Sequence, residues 1–292
     1  MNPRERIAQT LRGAPVDRVA RGEFFIADEF ARASCPAAET LFEAQRQIIE
    51  QFDLDVAAVS LSAGWGALEQ PPADRALEML MRWRAETDRF VWAVLDGPFS
   101  AAARARGFQA LMHYIHGAPH VARDLFWQGA EEARLIAQAV RDAGADGVVL
   151  GEDIAYGART YLAPKDLREL YFPALRAAAH EIRNLGLAVF FHSDGNLNAV
   201  LADLAACELD GVQGLEPEAG MTLSAARAQT GAALTLWGNF GFEFLSAART
   251  EAEIAEVVRA VTASPPVIAG SCGGLVPGLN PATLRQIYCA LG

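Results

Sequence analysis

Short apolar segments alternate with longer amphipathic patterns along most of the chain. The short segments predict eight strands, at 22–27, 55–61, 90–95, 147–150, 188–191, 211–215, 233–237 and 266–269. Apolar residues at helical spacing predict helices at 38–52, 121–143, 164–185, 196–207, 223–229, 251–262 and 281–291. Strands that are nearly continuous apolar runs, such as Val148-Val149-Leu150, are typical of a parallel sheet that is buried on both faces.

Two architectures accommodate eight strands that alternate with helices, a closed barrel and an open doubly wound sheet. An open sheet that binds a dinucleotide carries a GxGxxG loop after a strand. The nearest approach here, Gly-Ser-Cys-Gly-Gly at 270–274, has the wrong spacing. We therefore predict an α/β fold, a (β/α)8 TIM barrel that residues 1–292 form as a single domain.

Two further segments lie outside this alternation. Before the first strand, Asn2, Pro3 and Glu5 form the pattern of a capped helix start, and the helix is predicted to end near Gly13. Residues 63–81 fit no strand–helix unit, so they are predicted to form an insertion or a long loop.

In a barrel, the residues just after each strand line one mouth, where active sites form. Candidate functional side chains at these positions are Asp28, Glu29, Ser62, Trp65, Asp96, Glu152, Asp153, Tyr156, His192, Asp194, Asn196, Glu216, Glu218, Asn239, Ser271 and Cys272. Asp and Asn are also common helix caps, whereas a cap does not require Glu or His. Glu152, Glu216 and His192 therefore indicate a functional mouth.

Composition excludes several classes of function. Hydrophobic residues make up 52% of the chain, and 25 basic against 36 acidic residues give a formal net charge of -11. Because no basic cluster offsets this charge, we expect neither nucleic acid nor a membrane surface as a partner. The one lysine, Lys165, lies in a helix-start context, which argues against Schiff-base chemistry at a strand end.

The four cysteines are widely spaced, which is typical of free thiols in the cytosol. The chain starts without the apolar segment of a signal peptide, and its apolar runs are too short to span a bilayer, so a cytoplasmic protein is expected. Cys35, Cys207 and Cys289 are interpreted as structural. Cys272 ends the last strand, and either burial or function accounts for it.

Three histidines, His113, His116 and His120, surround a Gly and a Pro. No predicted strand delivers them to the mouth, so we interpret them as part of a solvated loop.

Four segments resemble the uroporphyrinogen decarboxylase superfamily, in the same order and across the whole chain. They are Pro-Arg-Glu-Arg-Ile-Ala-Gln-Thr-Leu-Arg-Gly-Ala-Pro-Val-Asp-Arg-Val at 3–19, Gly-Glu-Asp-Ile-Ala-Tyr-Gly at 151–157, Phe-His-Ser-Asp-Gly-Asn-Leu at 191–197 and Gly-Ser-Cys-Gly-Gly-Leu-Val-Pro-Gly at 270–278. The resemblance implies a (β/α)8 barrel, in agreement with the strand pattern.

The superfamily includes cofactor-free decarboxylases of a porphyrinogen with eight carboxylates. Their N-terminal Arg-Gln-Ala-Gly-Arg-Tyr segment corresponds here to Arg-Gly-Glu-Phe-Phe-Ile at 21–26, and their Gly-His-Gly-Ile segment corresponds to Cys-Gly-Gly-Leu at 272–275. Both motifs are therefore missing, and an acidic mouth would repel an octa-anionic substrate.

The superfamily also includes corrinoid-dependent methyltransferases, whose zinc ligands form a His-x-Cys pair followed by a distant Cys. The resemblance implies that His192 and Cys272 hold Zn2+ and that Asp194 ligates or orients. A carboxylate in place of a thiolate makes zinc a harder Lewis acid, which suits an oxygen-linked substrate.

The sequence favours metal-assisted methyl transfer from a small methylated substrate to a thiol or to a corrinoid carried by a partner protein. Asp194, Asp96 and either Glu152 or Glu216 are the catalytic candidates, Glu152 or Glu216 being the proton donor. The substrate-binding candidates are Asp153, Tyr156, Trp65 and Asn239.

Two alternatives remain open. One is cofactor-free decarboxylation of a porphyrinogen-like substrate, with Asp96 or Asp55 stabilising a protonated pyrrole-like intermediate. The other is a non-catalytic barrel that binds a corrinoid or a small ligand.

Overall fold

Eight parallel strands form a barrel in the computed structural model, which describes all 292 residues. The strands are β1 (Ala20–Arg21), β2 (Val56–Ser60), β3 (Phe90–Asp96), β4 (Gly147–Gly151), β5 (Ala188–Ser193), β6 (Gly211–Gly214), β7 (Thr235–Phe240) and β8 (Val267–Ser271). They are hydrogen-bonded in the order β1-β8-β7-β6-β5-β4-β3-β2. The predicted (β/α)8 TIM barrel is confirmed.

Helices surround the barrel. Their ranges are α1 (Pro3–Leu11), α2 (Asp28–Ser34), α3 (Leu41–Gln51), α4 (Ala73–Glu86), α5 (Pro98–Arg106), α6 (Phe108–Gly117), α7 (Pro119–Asp142), α8 (Phe172–Asn184), α9 (Leu201–Ala205), α10 (Leu223–Thr230), α11 (Phe242–Ser246), α12 (Glu251–Thr262) and α13 (Pro281–Ala290). Asn2 and Glu5 form the expected capping box of α1. No helix combines the length and the apolar character that crossing a bilayer requires.

The barrel closes between β1 and β2 through Asp55. The Asp55 N–H donates to the Arg21 carbonyl at 2.8 Å, and the Arg21 N–H donates to the Asp55 carboxylate at 2.8 Å. This carboxylate is fully buried and forms ion pairs with Arg6 and Arg18. A side chain therefore replaces part of the backbone ladder that the short first strand cannot supply.

Aromatic side chains fill the barrel interior. The Trp92 ring packs against Phe190 and Trp237, with centroid separations of 5.0 and 5.7 Å. Gly147 and Gly211 leave room for these rings, since a Cβ at either position would lie within 2.3 Å of a ring atom. Close packing leaves the mouth as the part of the barrel that is open to a ligand.

The structure corrects several element boundaries. The strand predicted at 22–27 is wrong. The first strand pairs with its neighbour only at Ala20–Arg21, and the predicted segment contributes a single isolated bridge between Ile26 and Leu275. The Gly22 carbonyl accepts from the Trp237 indole instead of a ladder partner. The segment 63–81, predicted as an insertion or a long loop, contains a helix in its second half, since α4 begins at Ala73.

The helix predicted at 196–207 is reduced to Leu201–Ala205. The Asn196 side chain accepts from the Asn198 N–H and donates to the Ala219 carbonyl, and these bonds hold a turn where the helix was expected. The helix predicted at 164–185 is interrupted by a π-helical turn at Leu167–Tyr171.

The three clustered histidines lie in helices and not in a loop. His113 and His116 belong to α6 and His120 belongs to α7. All three are exposed to solvent, as expected. Lys165 is also exposed and forms only a surface pair with Glu169. A Schiff-base lysine needs a buried, desolvated position, which Lys165 does not have.

We predict that Asp55→Asn lowers the free energy of unfolding by about 3 kcal/mol, because it removes the fully buried negative charge that pairs with both Arg6 and Arg18. Urea denaturation followed by circular dichroism measures the change. Asp142→Asn, which removes a fully exposed surface pair, is the control and should leave the unfolding midpoint unchanged. An Asp55→Asn midpoint equal to the wild type would contradict this account of closure.

Candidate functional site

His192 lies within β5 near its carboxyl end and not just after the strand. The imidazole is 2% exposed. It stacks on Phe24 at 4.1 Å between ring centroids and meets the edge of Trp65 at 5.4 Å. This packing fixes the plane of the ring.

Gln213 fixes the tautomer of His192. The two residues are register partners on β5 and β6, so their side chains lie on the same side of the sheet. The Gln213 Nε2 donates to the carbonyls of Ser271 and Cys272 at 3.0 and 2.9 Å, which turns its Oε1 towards His192 Nδ1. Because Oε1 can only accept, Nδ1 must donate, and the neutral ring carries its lone pair on Nε2.

Two carboxylates lie next to this Nε2 atom. Asp153 Oδ1 is 3.7 Å away and Asp194 Oδ1 is 3.8 Å away. The three atoms all lie within 4.8 Å of one another. Burial raises the pKa of Asp194, and the charge of Asp153 adds to the shift while His192 opposes it. The cluster thus concentrates negative charge around one nitrogen lone pair.

The cluster has the donors of a divalent cation site. Asp194 Oδ1 is buried and has no hydrogen-bond partner, whereas Asp153 Oδ1 accepts from the Asp194 N–H at 3.1 Å. Tetrahedral zinc, with ligand bonds of about 2.0 Å, separates its ligand atoms by about 3.3 Å. The two separations from His192 Nε2 are a few tenths of an ångström longer, and the third lies within 4.8 Å, so modest side-chain movement would bring all three residues around a metal ion.

Glu216 lies beside the cluster on the loop after β6. Its Oε2 accepts from the Gly195 N–H at 2.7 Å, and burial, with the charge of Asp194, raises the pKa of its carboxyl. Asn239, inside β7, holds this loop by donating to the Leu215 carbonyl at 2.7 Å. Asn239 therefore positions Glu216, and its amide hydrogens are used within the protein.

Glu152 is fully buried behind the mouth. Its carboxylate accepts from the N–H groups of Phe99 and Ser100, at 3.1 and 2.8 Å, and from the Tyr171 hydroxyl at 2.8 Å. Burial raises its pKa to about 8, against the lowering effect of these donors. The premise that a cap does not require Glu fails here, because Glu152 caps the start of α5.

Asp96 is the last residue of β3 and is already paired. Its Oδ1 accepts from the Trp65 indole at 2.8 Å, and Arg104 binds both of its oxygens. Trp65 lies directly over Gly151, where a Cβ would come within 2.4 Å of the indole. Asp96 thus anchors the indole that covers His192.

Cys272 is 2% exposed, and burial raises the pKa of its thiol well above the ordinary range. The Gln213 side chain donates to the Cys272 backbone carbonyl and accepts from His192 Nδ1. These two bonds hold the ends of the fifth and eighth strands close together. The three-residue cluster does not include its sulfur.

Tyr156 lies in a short hairpin formed by Ala155–Tyr156 and Arg159–Thr160. Its exposed ring stacks on Tyr161 at 4.9 Å. Asp55, a candidate in the decarboxylase alternative, precedes β2 and lies at the opposite end of the barrel from the mouth, where it pairs with arginines. It cannot reach a substrate at the mouth.

Gln213, Phe24 and Arg104 were not predicted from the sequence, because the predicted site residues are those that follow strand ends. A signal for Gln213 was present, since a lone amide inside an apolar strand requires buried partners. Nothing local marked Phe24 or Arg104.

Comparisons with known proteins extend this picture. The model of the uroporphyrinogen decarboxylase (URO-D) family matches residues 71–291. None of the curated proteins matches the sequence.

Solved structures share the fold at low identity. A methyltransferase from Methanosarcina mazei superposes with a TM-score of 0.84 at 18% identity, covering 100% of this chain and 98% of that one. A B12-independent methionine synthase from a Shewanella species gives 0.59 at 13% identity, covering 86% and 85%. An L-ribulose 3-epimerase gives 0.55 at 14%, covering 92% and 86%.

We predict that Glu152→Gln lowers the free energy of unfolding by about 1–3 kcal/mol, because the amide nitrogen would face a backbone N–H that it cannot accept from. Chemical denaturation measures the loss. Glu256→Gln on the exposed face of α12 is the matched control and should leave stability unchanged. Wild-type stability in Glu152→Gln would argue for a role other than capping.

Proposed function

The chain belongs to the uroporphyrinogen decarboxylase family, and from that premise we propose that it catalyses metal-assisted methyl transfer from a small substrate with a methylated oxygen. One observation carries the proposal. The buried Asp194 Oδ1 has no partner and lies 3.8 Å from the His192 lone pair. A buried carboxylate oxygen without a hydrogen bond is costly, and a cation bound between it and the His192 nitrogen would offset that cost.

The proposed ligands are His192, Asp194 and Cys272, which supply the N, O and S donors that zinc accepts. Cys272 enters the set because Gln213 ties its backbone to His192. Asp153 Oδ1 accepts from the Asp194 N–H but keeps a second lone pair, so Asp153 is a further proposed ligand from the same cluster. A bound zinc ion would act as a Lewis acid on the methylated oxygen.

Glu216 is the proposed proton donor. The carboxyl is half-buried, and its raised pKa keeps it protonated at higher pH than an exposed glutamate. Glu152 is set aside, since all of its oxygens bind donors inside the protein. The methyl group leaves the oxygen for the acceptor, the electron pair of the C–O bond stays on oxygen, and the Glu216 proton neutralises it.

The proposed acceptor is a second substrate, either a thiol or a reduced corrinoid carried by a partner protein. The fold also occurs in a methyltransferase and in a B12-independent methionine synthase, which supports methyl transfer in general and not one acceptor over the other. Porphyrinogen decarboxylation is disfavoured, because Arg21 is buried at the other end of the barrel, where it pairs with Asp53.

We predict that protein purified without chelator holds about one equivalent of zinc, and that His192→Ala and Asp194→Ala each lose most of it. Elemental analysis by mass spectrometry measures the content. Asp124→Asn, at an exposed position of α7 away from the mouth, is the control and should keep the metal. Less than about a tenth of an equivalent in the wild type, with an unchanged melting temperature in EDTA, would refute the metal site.

We predict that replacing zinc with Co2+ gives a thiolate-to-metal absorption band in the near ultraviolet, and that Cys272→Ala abolishes the band. Cys207→Ala is the matched control, because Cys207 is also buried but lies outside the mouth, against the Asp203 carbonyl. A cobalt protein that binds the ion without this band would remove Cys272 from the ligand set.

A further inference from the structure

A groove of about 290 Å³ adjoins the His192–Asp153–Asp194 cluster through Asp153. Asp153 lines it, Ser100 and Arg104 line it from α5, and the rings of Phe108 and Tyr161 form an aromatic wall. The two rings meet edge to face at 4.9 Å, and both are about two-fifths exposed. The volume lies at the lower limit of small-molecule pockets, about 300 Å³, so it suits a single ring.

Arg104 is held rigidly but keeps free donors. Its Nε and Nη2 atoms bind Asp96, and Nη2 also donates to the Ala63 carbonyl at 3.0 Å. Nη1 makes no hydrogen bond within the protein, and the side chain is 47% exposed. An arginine whose orientation is already fixed loses little conformational entropy when it binds a ligand.

Ser100 adds a second donor on the same helix face. Ser100 and Arg104 are four residues apart on α5, so their side chains lie side by side. The Ser100 backbone N–H binds Glu152, but its hydroxyl makes no hydrogen bond within the protein. The α5 side of the groove thus offers three donors without acceptors, which are the Ser100 hydroxyl and the two N–H groups of Arg104 Nη1.

From this arrangement we infer that the groove binds a small aromatic carboxylate, with the carboxylate on Arg104 and Ser100 and the ring against Phe108 and Tyr161. Two carboxylate oxygens match the paired donors, and charge-assisted bonds to arginine are the stronger kind. The ring then lies in a groove that Asp153, a member of the His192–Asp153–Asp194 cluster, also lines. Binding of the aromatic carboxylate is independent of the proposed function. Its identification as the methylated substrate rests on that function.

Calorimetric titration with 4-methoxybenzoate and the uncharged 4-methoxybenzyl alcohol tests the inference. We expect Arg104→Gln to weaken binding of the carboxylate about 10–100-fold and to leave the alcohol unchanged, since only one charge-assisted contact is lost. Arg106→Gln, an exposed arginine two residues along the same helix, is the matched control and should change neither affinity.

Phe108→Ala provides a second variant at an exposed position where folding is not at risk, and it should weaken both ligands about tenfold. Equal affinity of wild type for the two ligands, or an equal loss of both in Arg104→Gln, would overturn the inference.

This titration, carried out on wild-type protein whose zinc content has been measured, separates this inference from the proposed function. Arg104-dependent binding that persists in a wild-type protein found to lack metal would sink only the proposed function. A zinc protein that binds no aromatic carboxylate would sink only the groove assignment.

Discussion

The buried carboxylate of Asp55 is the contact on which the barrel depends. The first strand contributes only Ala20–Arg21 to the sheet, too short to form a full ladder with β2. Asp55 accepts the Arg21 N–H and balances the charges of Arg6 and Arg18 in the interior. Breaking a buried pair leaves uncompensated charge, so this closure is a strong constraint. It keeps the ring of strands continuous, and a continuous ring brings the eight strand ends to one mouth.

At that mouth, a single amide organises the candidate site. Gln213 bridges the last strand and His192, and its geometry leaves the histidine lone pair at Nε2. The rings of Phe24 and Trp65 hold the imidazole from two sides. Hydrogen bonding and aromatic packing thus fix both the tautomer and the orientation before any ligand arrives, as preorganised metal ligands require.

The acidic residues of the mouth divide into those whose charge is satisfied and those whose charge is not. Arg104 pairs with Asp96, and the start of α5 binds Glu152, so neither needs an external partner. Asp194 and its neighbour Asp153 have no counter-charge within the cluster, where burial of like charges is costly. A bound cation would offset this cost. In the neighbouring groove, by contrast, Arg104 keeps free N–H donors for an anionic ligand.

The periodicity of the sequence determined the fold, because alternating apolar segments and amphipathic helices in this number have few packing solutions. Strand ends also predicted that His192, Asp194 and Asp153 lie at one mouth, since parallel strands all present their carboxyl ends there. The sequence could not separate Glu152 from Glu216, because both follow a strand in the same way. Only tertiary contacts showed that one is sealed against α5 and the other lies beside the cluster. The partners of His192 were likewise decided by tertiary structure, since Phe24 reaches it from the segment after β1 and Gln213 reaches it from β6.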